Sequence, residues 1–359
     1  DVANADDAQR LSDGALNLHT TDPVISVVAP ESGDYRLSVR DLDIGNSLQT
    51  EQFFRVDVRT SQPGFDLVAY RVYPNKDINQ TRAFGTKLFR GGVELVRVFV
   101  NRREGFSGPV RLTCEGLPDG ISAADTVIAA GQTHTQIALV AADDADATIS
   151  SFRVVGRSED GSLKSVACAA TIQWAKGGGR DFIRTRRCTA LAASVSDQDI
   201  APVSIVPAAE SALESKPESS IKLPFKVTRR EGGDSPCTIR ARDLPAGVTA
   251  ADLTIAADKS EGEMELKIQK AAKPGSYSLW FQVETKIKYK PNPQAAERSQ
   301  AYRDQLQKLH DAPANADPAN ADRLAANKDA IAEADKRLEA SKNNAKPKQL
   351  TVYLTTPKS

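Results

Sequence analysis

Along "VELVRVFVNRREG" apolar and polar positions alternate: Val96, Val98 and Val100 fall on one side, and Arg97, Phe99 and Asn101 on the other. A period of two predicts a strand with one face in a core and one in water. The same pattern returns 127 positions later as Leu223, Phe225 and Val227, again followed by Arg-Arg-Glu-Gly. The register holds without a gap far beyond that tetrapeptide. "VRVFVNRREGFSGPVRLTCEGLPDGISAADTVIAA" lies over "LPFKVTRREGGDSPCTIRARDLPAGVTAADLTIAA", with Leu117-Pro118 on Leu244-Pro245, Gly120 on Gly247 and Ile128 on Ile255. Ile137 and Leu139 match Met264 and Leu266, and Phe152 and Val154 match Leu279 and Phe281. The chain therefore contains one β domain twice. Gly105 and Gly232 read as turn residues able to take positive φ. The "GLPDGI" and "DLPAGV" phrases read as Pro/Gly corners between strands. Short strands broken by such turns predict a β-sandwich in each copy. The RREG tetrapeptide then marks a strand end entering a turn, with its charges expected in solvent.

The period changes once. After "ETKIKYKPN" the chain becomes rich in Ala, Lys, Glu, Asp and Gln, all but Asp good helix formers. Pro293 suits a first helical turn. Tyr302, Leu306 and Leu309 form one stripe, while Leu324, Ile331 and Leu338 recur every seven residues. "DAPANADPANAD" separates the two stripes with residues that break helices. A helical hairpin over about 294–310 and 319–343 is expected, after which Leu350, Val352 and Leu354 resume the sandwich beside Ile287 and Tyr289. The stripes are narrow, so the hairpin buries little by itself. It reads as a projecting spacer, a docking element for another chain, or a lid on its own sandwich.

The run "RGGVELVRVFVNRREGFSGPVRLTCEGLPDGI" (Arg90 to Ile121) resembles the immunoglobulin-like modules found in tandem in large secreted bacterial proteins. "DPVISVVAPESGDYRLSVRDLDIGN" with "EQFFRVDVRTSQPGFDL" resembles the closing strands of a bacterial pre-peptidase C-terminal (PPC) domain. Ala29-Pro30, Gly33-Asp34-Tyr35-Arg36 and Val39-Arg40-Asp41 carry that resemblance. It implies a non-catalytic accessory role outside the cytoplasm and supplies no catalytic residue. The expected organisation is a PPC-like β segment over 1–62, one immunoglobulin-like β-sandwich over 63–198, and a second over 199–359 with the helical hairpin inserted at 293–346. The fold class is all-β. The start at Asp1 is expected to be a processed mature end or a fragment.

Composition narrows the function classes. The 47 basic and 47 acidic residues cancel, so no global field draws the chain to nucleic acid or anionic lipid. No run approaches the eighteen or so apolar residues of a membrane span. Cys114, Cys168, Cys188 and Cys237 are scattered without a CxxC pair, which argues against a zinc or redox site. Cys168 and Cys188 stand at equal distances from Gly178. A hairpin turning there would bring them face to face, as a disulfide or as two buried thiols.

Little else carries chemistry. His19, His134 and His310 have no carboxylate or Cys at ligand spacing. "GFSGP" lacks the spacing of a nucleophile elbow, and "KGGGR" reads as a hairpin turn rather than a phosphate cradle. "DVANADDAQ" and "AADDADAT" are acidic enough to hold calcium but read as solvated loops. Arg184, Arg186 and Arg187 read as a charged strand edge that resists sheet-to-sheet pairing. No cofactor and no enzymatic activity are expected. The expectation is an extracellular, cell-surface or periplasmic scaffold or protein-interaction module with other protein chains as partners, docking through Tyr302, Leu306, Leu309, Leu324, Ile331 and Leu338. The alternative is a glycan-binding accessory module presenting Trp174 and Trp280 to a polysaccharide.

Overall fold

The structure is a computed structural model of the chain. It describes residues 3–5, 23–39, 55–71, 85–177, 180–188, 190–208, 213–289, 294–312, 321–344, 346 and 348–356. By backbone packing the chain falls into two units, residues 1–66 with 101–107, and residues 67–100 with 108–359.

The elements in chain order begin with β1 (Gly64–Arg71), β2 (Thr86–Arg90), β3 (Val93–Arg103), β4 (Val110–Glu115), β5 (Ile121–Ala123), β6 (Thr126–Ile128), β7 (His134–Ala141) and β8 (Thr148–Ser158). Next come β9 (Lys164–Val166), β10 (Cys168–Gly177), β11 (Arg180–Cys188) and β12 (Leu191–Ile200). The second copy comprises β13 (Val203–Pro207), β14 (Ser219–Arg229), β15 (Cys237–Arg242), β16 (Val248–Ala250), β17 (Leu253–Ile255), β18 (Glu261–Ile268) and β19 (Trp280–Tyr289). The hairpin α1 (Ala295–His310) and α2 (Ala321–Asn344) follows, and β20 (Lys348–Thr356) closes the chain.

Alternation sets the layers. In the first sandwich one sheet runs β11-β10-β1-β3-β7-β5 and the other β2-β12-β8-β4-β6, with β9 beside β8. In the second they run β13-β14-β18-β16 and β17-β15-β19-β20. Val96, Val98, Val100, Ile137 and Leu139 are buried in the first core, and Leu223, Phe225, Val227, Met264 and Leu266 in the second. There Phe225 and Phe281 meet edge to face with ring centroids 5.0 Å apart, a favoured aromatic geometry. The fold is all-β, with two tandem β-sandwiches and a helical hairpin in the last.

The repeat reaches individual hydrogen bonds. Strands β4 to β7 recur as β15 to β18 with bounds shifted by 127 at every end. The turn bond from the Phe106 N–H to the Arg103 carbonyl (3.1 Å) has its copy from Gly233 to Arg230 (2.9 Å). The Ile121-to-Pro118 bond recurs as Val248 to Pro245. Gly105 and Gly232 have φ of 90° and 87°, which only glycine adopts without cost.

Both copies are interrupted at one place. Strand β8 pairs antiparallel with β12 (Phe152 opposite Leu191), and β19 pairs the same way with β20 (Ile287 opposite Leu350). Between those partners the first copy carries β9 and the β10–β11 hairpin, and the second carries α1 and α2. Sequence patterning reads a strand hairpin here but not its place as an interruption, because a strand hairpin keeps the period of the sheet it joins.

One expectation needs correction. Within the β10–β11 hairpin Gly177 opposes Arg180, so Cys188 stands opposite Ala169, not Cys168. Gly178 and Gly179, between these strands, lie outside the described residues. One step of register sends the two cysteines to opposite faces. All four cysteines are thiols. In the PPC-like segment, the described residues before Gly64 contain no strand. Tyr35, Leu37 and Val39 alternate as a strand would, yet all three are exposed, as are Val56 and Val58. Alternation creates a strand only where a neighbouring strand takes its hydrogen bonds and a second layer covers its apolar face.

Candidate functional site

The two RREG turns carry dense polar contacts. In the first unit, Arg103 Nε lies 2.8 Å from Asp66 Oδ2. Glu104, at φ 52°, turns its carboxylate onto the segment that enters β1. The Arg59 guanidinium and the Gln62 N–H donate to it, and the Ser61 hydroxyl donates to the Glu104 carbonyl at 3.0 Å. The Arg59 hydrogen bonds, then that of the Gln62 amide, hold Glu104 down at about 2.

In the second copy the turn holds the equivalent place. The Arg230 N–H donates to the Pro202 carbonyl at 2.8 Å, and its guanidinium to the Ala201 carbonyl at 2.9 Å. Both residues immediately precede β13. Arg230 Nη2 also donates to both carboxylate oxygens of Asp143 at 2.7 Å, in the loop after β7 of the preceding sandwich. Arg229 turns back instead, donating to the carbonyls of Ala256 and Lys259. The expectation of solvated charges is therefore corrected: a guanidinium has five N–H donors in a fixed fork, and a turn crowded with carbonyls gives them partners.

A second contact joins the sandwiches. Asp243 occupies the left-handed φ of 49° where the first copy has Gly116 at 82°. One of its oxygens accepts from Trp280 Nε1 at 3.1 Å and lies 3.5 Å from His134 Nε2 and 3.7 Å from Arg97 Nη2. His134 chiefly, then the Arg97 charge and the Trp280 N–H, hold the carboxyl below its ordinary value against partial burial. A third contact runs from the Val127 N–H to the Ser278 hydroxyl at 2.9 Å. Exposed ion pairs of this kind contribute about 0–1 kcal/mol each, so they set geometry more than they stabilise.

The helical hairpin divides the six residues proposed for docking. Leu338 is buried, Leu306, Leu324 and Ile331 are half-buried, and Tyr302 and Leu309 are each 49% exposed. The helices are tied by Ser299 to Ser341 at 3.0 Å and by Arg303 Nε to Asp335 at 3.1 Å. Leu306, Leu324, Ile331 and Leu338 therefore lie on the sheltered sides of the helices, with Tyr302 and Leu309 outside. Ala334, buried beside Leu338's turn, was missed, since alanine carries no periodic apolar signal.

The remaining candidates do not assemble. Trp280 is half-buried with its N–H committed to Asp243, and the Trp174 side chain lies outside the described residues, as does His19. Arg184 and Arg186 have described backbone only, while Arg187 Nε donates to Cys168 Sγ at 3.2 Å. Burial, with the Asp125 charge second, pushes the Cys114 thiol up to about 12, the reverse of an activated nucleophile. Among the described residues no group of three or more His, Cys, Asp or Glu converges as a metal site would, and no helix is long and apolar enough to cross a membrane.

No protein-family model matches the chain, and no curated protein matches it. Solved structures similar to it include the D00-D0 domain of intimin (10% identity, 62% of this chain and 92% of that one, TM-score 0.19). The D0-D1 domain of intimin matches at 12% identity over 57% and 88%, TM-score 0.19. Domains 4–9 of the surface layer protein SbsC match at 12% identity over 62% and 29%, TM-score 0.24.

Proposed function

We propose that the chain is a non-catalytic extracytoplasmic scaffold, a protein-interaction portion of a larger surface or secreted assembly, with the helical hairpin as its docking element. The domain plan proposed with it is a PPC-like segment over 1–62 and two immunoglobulin-like sandwiches over 63–198 and 199–359. The observation that supports docking most is the exposure of two large apolar side chains on α1. Tyr302 and Leu309 stand half in water on a hairpin whose Leu306, Leu324, Ile331 and Leu338 are more sheltered. Large aromatic and aliphatic side chains left out of a seam are the usual anchors of a protein interface. The glycan reading loses support, since a sugar platform needs an open ring and Trp280 is half-buried and tied to Asp243.

The test is crosslinking mass spectrometry in the native source. Tyr289 and Lys348 oppose each other, so residues 290–347 are replaceable by a short turn without disturbing the β19–β20 pair. The scaffold reading expects partner crosslinks concentrated on α1 and lost in the hairpin-less form. Partners retained unchanged would remove the docking role.

A further inference from the structure

We infer that the repeated RREG turn is the joint of the tandem, the device by which each sandwich seizes the chain entering it, and that Arg230 fixes the angle between the two sandwiches.

In both copies the turn closing the long strand grips the residues just before the first strand of its own sandwich. Glu104 takes Arg59, Ser61 and Gln62 ahead of β1; Arg230 takes Ala201 and Pro202 ahead of β13. A linker held at its last residues has no swivel left at its entry to the sandwich. Only Ala201 and Pro202 separate β12 from β13, and three contacts between the sandwiches oppose a change of their angle: Arg230 with Asp143, Asp243 with His134 and Arg97, and Ser278 with Val127. One contact leaves a pivot and two leave a hinge axis. Each added contact narrows the rotation that is left.

Glycine at position 91 is part of the device. Its φ of +63° is left-handed, and a Cβ there would run into the Asp143 carboxylate and lie 2.9 Å from Arg230 Nη2. Any side chain would displace the clasp itself. The clasp is also directional. The position 127 beyond Asp143 is Lys270, so the second sandwich does not carry the acidic acceptor that the first presents to Arg230. The matching residue of Arg230 in the first copy, Arg103, bonds within its own unit to Asp66. The Arg–Asp clasp is thus specific to the pair of sandwiches seen here.

The experiment is a spin-label distance measurement on the full chain. Labels go on Ile149→Cys and Lys267→Cys, both exposed and one on each sandwich, in a Cys168→Ser, Cys188→Ser background. The joint predicts one narrow distance distribution. Arg230→Ala, Asp143→Asn and Gly91→Ala should each broaden it about twofold or more, while the Arg230→Asp, Asp143→Arg double variant restores a narrow one. Asp143→Asn guards against a folding artefact, because that loop side chain is mostly exposed and its amide keeps the shape. Broadening by Arg230→Ala without broadening by Asp143→Asn would overturn the clasp, as would an unchanged width in both.

Discussion

Glu104 shows how a residue read as solvated becomes structural. Its side chain is only 10% exposed, and three donors from one stretch of chain converge on it. A carboxyl held down at about 2 is depressed relative to the unfolded chain, so its contribution is fully present above the ordinary carboxylate range. It is lost as pH falls through about 2. A carbon-detected titration of the Glu104 carboxyl should therefore show a midpoint far below that of a free glutamate, and Arg59→Ala should bring it back toward the ordinary value. A midpoint near 4.5 in the unaltered chain would mean that the grip on the linker is not made in solution. Nothing in the sequence distinguishes Glu104 from an exposed turn glutamate, since its donors lie some 42 to 45 positions upstream.

Among the elements, those with a sharp period were legible, and those whose register depends on a turn were not. The two helices run within two residues of the expected bounds, because a shift from period two to period 3.6 is visible in one window of sequence. The β10–β11 hairpin was located, but its register slipped by one residue, since the difference between a one-residue and a two-residue centre lies in turn geometry rather than in composition. The packing of the helical stripes was half legible for a similar reason. Heptad spacing puts residues on a face but does not say whether that face meets the partner helix or water. The hairpin offers a contrast that tests the split. Leu338→Asp buries a charge in the seam and should melt α1 and α2, seen as a loss of helical circular dichroism. Tyr302→Asp, on the open face, should leave the helical signal within error and change stability by about 0.5 kcal/mol or less. Equal loss in both would place Tyr302 in the seam.

At the scale of the whole molecule the repeat is the main result, and it was legible almost completely because identical turns demand identical residues at an offset of 127. What the sequence concealed was the use of those turns. Arg230, Asp143 and Gly91 are remote along the chain, and only folding brings the three together. The same holds for Asp243, whose partners Arg97 and His134 come from the other sandwich. The weak energy of each exposed pair means that the joint sets orientation while the two cores carry stability. Residual dipolar couplings on the deuterated full chain test this most directly. If the joint is fixed, amides of β3, β4 and β7 and those of β14, β15 and β18 fit a single alignment tensor of one magnitude and orientation. Two tensors of different magnitude for the two sandwiches would contradict it, and would make the pair a flexible string of modules.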